Sequence, residues 1–276
     1  MNVTPRDKQI QVINALVEGC SIRSIERMYG VHRDTVTRLM IRTGQHCMTL
    51  VDDLIRDIPT GTYQIDELWT FVRKKDKKLR PHEKHDAEIG SQFIFVAMEA
   101  QTKLVPSWQI GKRVPEVAYG LLADLKERLN GNGDRATIIT DGFGPYLDAV
   151  YGAFGTNVNF AQLIKVVSED RRPAREGYIP AIVVRCDKTV VTGRPHESQI
   201  STSLIERQNL TLRTSMKRLA RLTLSFSKKL DNLKAATALH FAYYNLCRIH
   251  RTIRVTPAMA AGLVNSVWEI GDLIPN

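Results

Sequence analysis

YQIDELWTFV, from Tyr63 to Val72, has the apolar and aromatic content of a central β-strand, yet it carries two adjacent acids, Asp66 and Glu67. A carboxylate amid Tyr63, Ile65, Leu68 and Trp69 costs desolvation free energy, and turn chemistry does not explain it, so it points to a task. Side chains alternate along a strand, so only one of the two acids can face a given site. Periodicity does not choose clearly between them.

Downstream, Gln92–Met98 and Leu104–Ile110 are two further β-rich runs. The first is reached through a basic tip, RKKDKKLRPHEKHD, from Arg73 to Asp86. Pro115 opens an amphipathic helix to about Leu129 with Val117, Leu121, Leu122 and Leu125 inward, and Asn130-Gly131-Asn132-Gly133 stops it. Ala136–Thr140 is a short buried strand. Strand-strand-strand-helix-strand is a meander followed by a right-handed helical crossover, which gives an α/β mixed sheet. Asp141 follows the fourth strand in IITDGFGPY, where Gly142 and Gly144 let the backbone turn. If that strand pairs in parallel with the first, Asp66 and Asp141 become neighbours, and two close carboxylates require a hard cation between them or a proton on one. A turn role explains Asp141 equally well by itself.

A third acid comes from ISTSLIERQNLTLRTSMKRLARLTLSFSKKL, where Ser201 to about Leu222 reads as a long helix. Glu206, Asn209, Arg213 and Lys217 fall on one stripe, and Ile205, Leu212, Met216 and Leu219 on another about 100° around the axis. Between Glu206 and Lys234 there are eight Lys/Arg and two acids, so a lone acid heads a basic face. That suits a metal ligand followed by contacts to DNA phosphates from Asn209, Arg213 and Lys217. A solvated surface helix with an acid near its N-terminal end is the plainer alternative.

Residues 6–42 read as three short helices. Ile10, Ile13, Leu16 and Val17 recur at helical spacing; Ser21 caps a second helix; Gly30-Val31 makes a turn; a third follows with Val36, Leu39 and Met40 inward. Arg33, Thr35, Thr37, Arg38 and Arg42 lie on or near its outer surface. The pattern is a helix-turn-helix whose last helix can enter a major groove, with a trihelical bundle for protein contacts as the alternative. The formal charge of +10 suits a polyanionic partner. No apolar run is long enough to cross a membrane, no secretory signal opens the chain, and the four cysteines form no CxxC pair. The expected location is cytoplasmic, in association with the nucleoid.

Together, Asp66-Glu67-Leu68-Trp69, Thr140-Asp141-Gly142 and Ile205-Glu206-Arg207-Gln208-Asn209-Leu210 resemble the DDE transposases, closest to the insertion-sequence-one family. Leu212-Arg213, the Ser225-Phe226-Ser227-Lys228 run and YYNLCRIHRTIRVTPAMAAG from Tyr243 continue the likeness, over about residues 60 to 265. The resemblance implies a ribonuclease-H-like mixed sheet flanked by helices, preceded by a small all-α helix-turn-helix domain. It implies Asp66, Asp141 and Glu206 as catalytic metal ligands, with Glu67 on the opposite face or supporting them, and Arg213 at the family's basic position. Two departures stand out: there is no N-terminal zinc finger, and roughly Glu169 to Ile200 is extra, with an apparent hairpin around AIVVRCDKTVVTG. The expected organisation is therefore a helix-turn-helix domain over 1–46, a linker over 47–61, a catalytic domain over 62–250 with the insertion at about 169–200, and a C-terminal tail over 251–276.

The implied activity is cleavage of transposon ends and joining of 3′-hydroxyls to target DNA. It would use two Mg²⁺ ions, replaceable by Mn²⁺, that stabilise the entering and leaving oxygens, in a homo-oligomer on DNA with no membrane partner. A structure-selective nuclease of the same fold and a catalytically inert DNA-binding regulator are the rival readings. His240, Asn245, Arg248 and His250 can approach the site or simply belong to a packed C-terminal helix.

Overall fold

The structure of the protein is a computed structural model and describes residues 4–131, 134–167 and 183–276. The β-branched and aromatic run at Tyr63 becomes the central strand β1 (Thr62–Val72). Antiparallel to it lies β2 (Gly90–Glu99), and antiparallel to β2 lies β3 (Ser107–Gly111). Helix α4 (Pro115–Arg128) crosses over to β4 (Ala136–Thr140), which pairs in parallel with β1. Next come α5 (Pro145–Phe154) and β5 (Val158–Val167), parallel to β4 and additional to the expected elements. The sheet order β3-β2-β1-β4-β5-β6 and these directions are the ribonuclease-H-like mixed sheet, flanked by helices.

The sixth strand, β6 (Val183–Thr192), corrects the hairpin expected in AIVVRCDKTVVTG. Its described residues form one strand antiparallel to β5. No glycine follows Asp187-Lys188 to close a two-residue turn, and the β-branched run stays extended. Residues 169–182 of the expected insertion lie outside the described residues.

Helix α6 (Ser203–Ser215) is shorter than the helix expected to Leu222. The Thr214 hydroxyl donates to the carbonyls of Leu210 and Thr211, a local bond that competes with helix propagation. Met216 is extended, and a 3₁₀ turn over Lys217–Leu219 buries Met216 and Leu219. Lys217 therefore leaves the stripe of Glu206, Asn209 and Arg213.

Ahead of the sheet, α1 (Arg6–Val17), α2 (Ile22–Tyr29) and α3 (Arg33–Leu54) form the expected trihelical start. Ser21 accepts from the Ser24 amide at 3.0 Å, and Gly30 ends α2 in the left-handed region at φ 65°. The residues from 47 expected as linker begin as the second half of α3. Their apolar period does not stop, because Thr43, Gly44, Cys47 and Val51 all bury at helical spacing. This face packs on α7 (Leu230–Ala242), a helix buried along nearly its whole length, and Trp108 of β3 meets Phe241 at 5.9 Å between ring centroids. Arg128 ties the end of α3 to α4, donating to the Ile55 carbonyl at 3.0 Å and pairing with Asp52 and Asp124. The C-terminal residues also pack inward: Leu273 and Ile274 are buried, and Arg6 donates to the carbonyls of Gly271, Ile274 and Pro275.

Gly44 marks where the backbones of α3 and α7 come closest, since a Cβ there would lie 2.1 Å from the Ala235 carbonyl oxygen. Gly44→Ala is expected to destabilise the protein by about 1–3 kcal/mol or more through overpacking against backbone. Gly120→Ala, mid-helix with nothing near the new methyl, should be neutral or stabilising by up to about 1 kcal/mol. Urea unfolding of both variants checks this; equal midpoints would show that the helices part without cost.

Candidate active site

The site originates in a difference of strand length. The β1–β4 pairing covers Thr62–Ile65 against Thr137–Thr140, so Asp66 is the first β1 residue beyond the carboxyl end of β4. Asp141 turns away at that same end. Its carboxylate accepts from the Phe143 amide at 3.0 Å, while Gln162 holds its carbonyl at 2.9 Å. In the resulting notch, carboxylate oxygens of Asp66, Glu67 and Asp141 lie within 4.8 Å of one another.

Alternation still sends the two β1 acids to opposite faces. Asp66 faces α6, where Asn209 donates to its Oδ2 at 2.8 Å. Gln64, on the same face, accepts from the Leu204 and Ile205 amides at 3.0 and 3.1 Å and so fixes the start of α6 against β1. Glu67 faces α5, where Tyr146 donates to Oε2 at 2.9 Å and Arg113 donates to Oε1 at 2.6 Å. Arg113 is itself stacked over Phe143, 4.1 Å from the ring centroid.

Glu206 lines the same cleft, of about 480 Å³, with Asp66, Asp141, Lys165 and Thr202. It stands outside the close trio. Its Oε1 takes an ion pair from Lys165 of β5 and a hydrogen bond from Thr202 at 2.6 Å. Burial, reinforced by Glu67, Asp141 and Glu206, pushes the Asp66 carboxyl up to about 7. Burial and Asp141 likewise raise Glu67, against the opposing pull of Tyr146 and Arg113. Carboxylate oxygens under this much mutual repulsion form a hard donor set that fits Mg²⁺ or Mn²⁺.

Other residues singled out in the sequence fall in several places. Arg33 and Arg38 are exposed and Thr35 and Thr37 half-buried at the start of α3, with Arg38 donating to Thr35 at 3.1 Å and Thr37 to the Arg33 carbonyl at 2.9 Å. Arg42 instead turns back to Gln9 at 2.7 Å. Asn209 is committed to Asp66. Arg213 donates to the carbonyls of Leu219 and Trp69, pinning the chain after α6 to β1. Lys217 lies with Arg33 and Thr37 in a separate cavity of about 680 Å³. Of the C-terminal candidates, Asn245 brackets Val105 through both its backbone groups, and His240 is buried in α7. Neither lines the acidic cleft, nor do Arg248 and His250. Arg113, Tyr146, Lys165 and Thr202 carried no sequence signal of their own, because each reaches the site only through tertiary packing.

Residues 184–243 match the family described as IS1 transposase. The chain resembles an insertion-sequence transposase of the DDE type. The matched stretch holds Glu206, Asn209, Arg213 and Lys217, and it begins inside the residues read as an insertion. Among solved structures, the chain is similar to the Mos1 mariner transposase in its paired end complex with Mn, at 14% identity over 58% of this chain and 60% of the Mos1 chain, with a TM-score of 0.23. It is also similar to the piggyBac transposase in a synaptic complex with hairpin DNA, at 10% identity over 99% of this chain and 70% of that one, with a TM-score of 0.39. The chain thus spans about three-fifths of the Mos1 chain. No curated protein matches it. No helix among the described residues is long and apolar enough to cross a membrane.

The raised Asp66 carboxyl gives the metal-free protein a pH signature. An unfolded aspartate titrates near 3.9, so the folded state binds this proton more tightly. Stability from this group is full below about pH 4 and is lost as pH rises to about 7. Asp66→Asn should therefore raise Tm relative to the parent by an amount that grows from pH 4 to 7 and then levels, reaching several degrees. Mg²⁺ at pH 8 should stabilise the parent more than the variant. A pH-independent difference between the two melting curves would remove the electrostatic account.

Proposed function

We propose that the protein is a transposase that binds insertion-sequence ends, cuts them, and joins the freed 3′-hydroxyls to target DNA. The observation that carries this reading is the meeting of acids from β1 and the end of β4 in one notch, with Glu206 of the IS1-matched segment on the same cleft wall. Divalent ions bound there supply Lewis-acid stabilisation of charge on the attacking and leaving oxygens of a phosphodiester, and two of them serve both at once. Asp66 and Asp141 are the primary ligands. For the third, both oxygens of Glu67 are engaged by Arg113 and Tyr146, whereas both bonds of Glu206 fall on a single oxygen. Glu206 is therefore assigned as ligand and Glu67 as the acid that positions the trio. Asn209 sets the rotamer of Asp66, and Lys165 balances Glu206. Mg²⁺ is the proposed ion, with Mn²⁺ able to replace it.

Arg33, Thr35, Thr37 and Arg38 present a polar surface at the start of α3 for recognition of the ends, and Lys217 adds to that basic surface from the same cavity as Arg33 and Thr37. Arg42, Asn209 and Arg213 contribute by positioning other groups. Pairing two ends calls for a homo-oligomer on DNA, working in the cytoplasm at the nucleoid.

Asp66→Asn should abolish strand transfer while DNA binding through residues 6–42 persists. Glu206→Gln should reduce cleavage to background, and Glu67→Gln should lower it about 10–100-fold, the size seen when a partner that orients ligands is lost. The measurement is Mg²⁺-dependent cleavage and joining on labelled DNA carrying the element's ends. Cutting without joining by the parent protein would make it a nuclease, and no cutting at all a DNA-binding regulator.

A further inference from the structure

Two leucines in the loop between α6 and α7 stand almost wholly in solvent: Leu222 is 97% exposed and Leu224 96%. Among the described residues the next most exposed large apolar side chain is Tyr151, at 68%. Single half-exposed leucines are ordinary, but two bare ones separated by one residue are not. Their surroundings name the partner. From Lys217 to Lys229 the chain carries five Lys/Arg and no acid, a setting that attracts a polyanion.

The loop is also joined to the active site. Ser227 bridges to Val72 at the end of β1, and the Arg73 amide donates to its carbonyl at 2.8 Å. Phe226 packs against Phe71 in a tilted pair with ring centroids 4.9 Å apart, and Phe71 lies 5.9 Å from Trp69. Trp69 is 38% exposed, with its indole N–H held by Ser91. Lys75 sits over both Trp69 and Phe71, at 5.9 and 5.6 Å. Trp69 shares the face of Glu67 and stands one pleat repeat, about 7 Å, along β1 from it. A row of aromatic rings with a cation at its rim thus links the leucine-bearing loop to β1 beside Glu67.

We propose that this loop opens the DNA duplex beside the active site. Leu222 and Leu224 act as a wedge between base pairs, the use to which proteins put apolar side chains inserted at a base step. The base released stacks on the Trp69–Phe71–Phe226 row, with Lys75 on the adjoining phosphate. This rests on the reading of the protein as a DNA-cutting enzyme and adds that it binds an unpaired strand next to the bond it cuts.

The test uses the full-length protein in Ca²⁺ with a 40-base-pair duplex that carries an end of the element and 2-aminopurine beside it, and with the same duplex bearing a three-base mismatch bubble. The parent protein should raise 2-aminopurine fluorescence on the paired duplex and should bind the bubble about tenfold more tightly, the scale of base–aromatic stacking. Leu222→Ser/Leu224→Ser, whose positions are solvent-exposed, should keep its Tm and its affinity for the bubble but lose the fluorescence rise on paired DNA. Trp69→Leu should lose the preference for the bubble. Equal affinity of the parent for both DNAs, or a full fluorescence rise with the double serine variant, overturns the proposal. So does a change of sedimentation in the serine variant with base opening intact, which would assign the leucines to contact with a second copy of the chain. Cleavage of both substrates in Mg²⁺ separates the two readings: normal cutting without bubble preference removes the wedge alone, and no cutting of either removes the enzyme as well.

Discussion

Three carboxylates held within 4.8 Å cannot all be charged without a cation or a proton among them, and much of the structure around β1 answers that constraint. Arg113 and Tyr146 cover Glu67 from the α5 side, Asn209 covers Asp66 from the α6 side, and the Phe143 amide covers Asp141. What these partners leave uncompensated shows in Asp66, whose carboxyl still rises to about 7. Of the two basic side chains beside the acids, Arg113 pairs with Glu67 and Lys165 with Glu206.

The second constraint is mechanical. Because α3 runs unbroken to Leu54 and packs along α7, the surface at the start of α3 is rigidly related to the sheet. Gly44 allows the two backbones to approach, and Arg128 locks the far end of α3 to α4. A flexible linker would have let α3 and the cleft move independently. The buried contact instead ties the start of α3, through α7 and α4, to the sheet that carries the acids.

How much of this was legible in the sequence follows from the range of each signal. The strands β1 to β4, α4 and the trihelical start are legible because their periodicity and capping are local. The Asp66-Glu67 pair and Asp141 stand out within a few residues, as acids in an apolar strand and before a glycine turn, but it is the family resemblance that singles out Asp66 and Asp141. The choice between Glu67 and its rivals is not legible, since it depends on Arg113, Tyr146 and Lys165 arriving from elsewhere in the chain. The length of α6 was misjudged for a similar reason: Ile205, Leu212, Met216 and Leu219 keep a helical rhythm, but Met216 and Leu219 bury through a 3₁₀ turn, and Arg213 folds back to hold it. The linker at 47–61 was misjudged the opposite way, because Cys47 and Val51 extend α3 only when α7 is there to cover them.

That fold-back has a consequence for the arrangement of the whole site. Arg213 donates at once to the Leu219 carbonyl and to the Trp69 carbonyl, so one guanidinium joins the end of α6, the start of the leucine-bearing loop and the middle of β1. Glu206 sits two helical turns earlier on α6, and Asp66 three residues earlier on β1. The same side chain thus ties the loop to both elements that carry acids. A residue expected to touch DNA because it is basic here joins helix, loop and strand, and the planar fork of its N–H donors is what lets it hold two carbonyls at once.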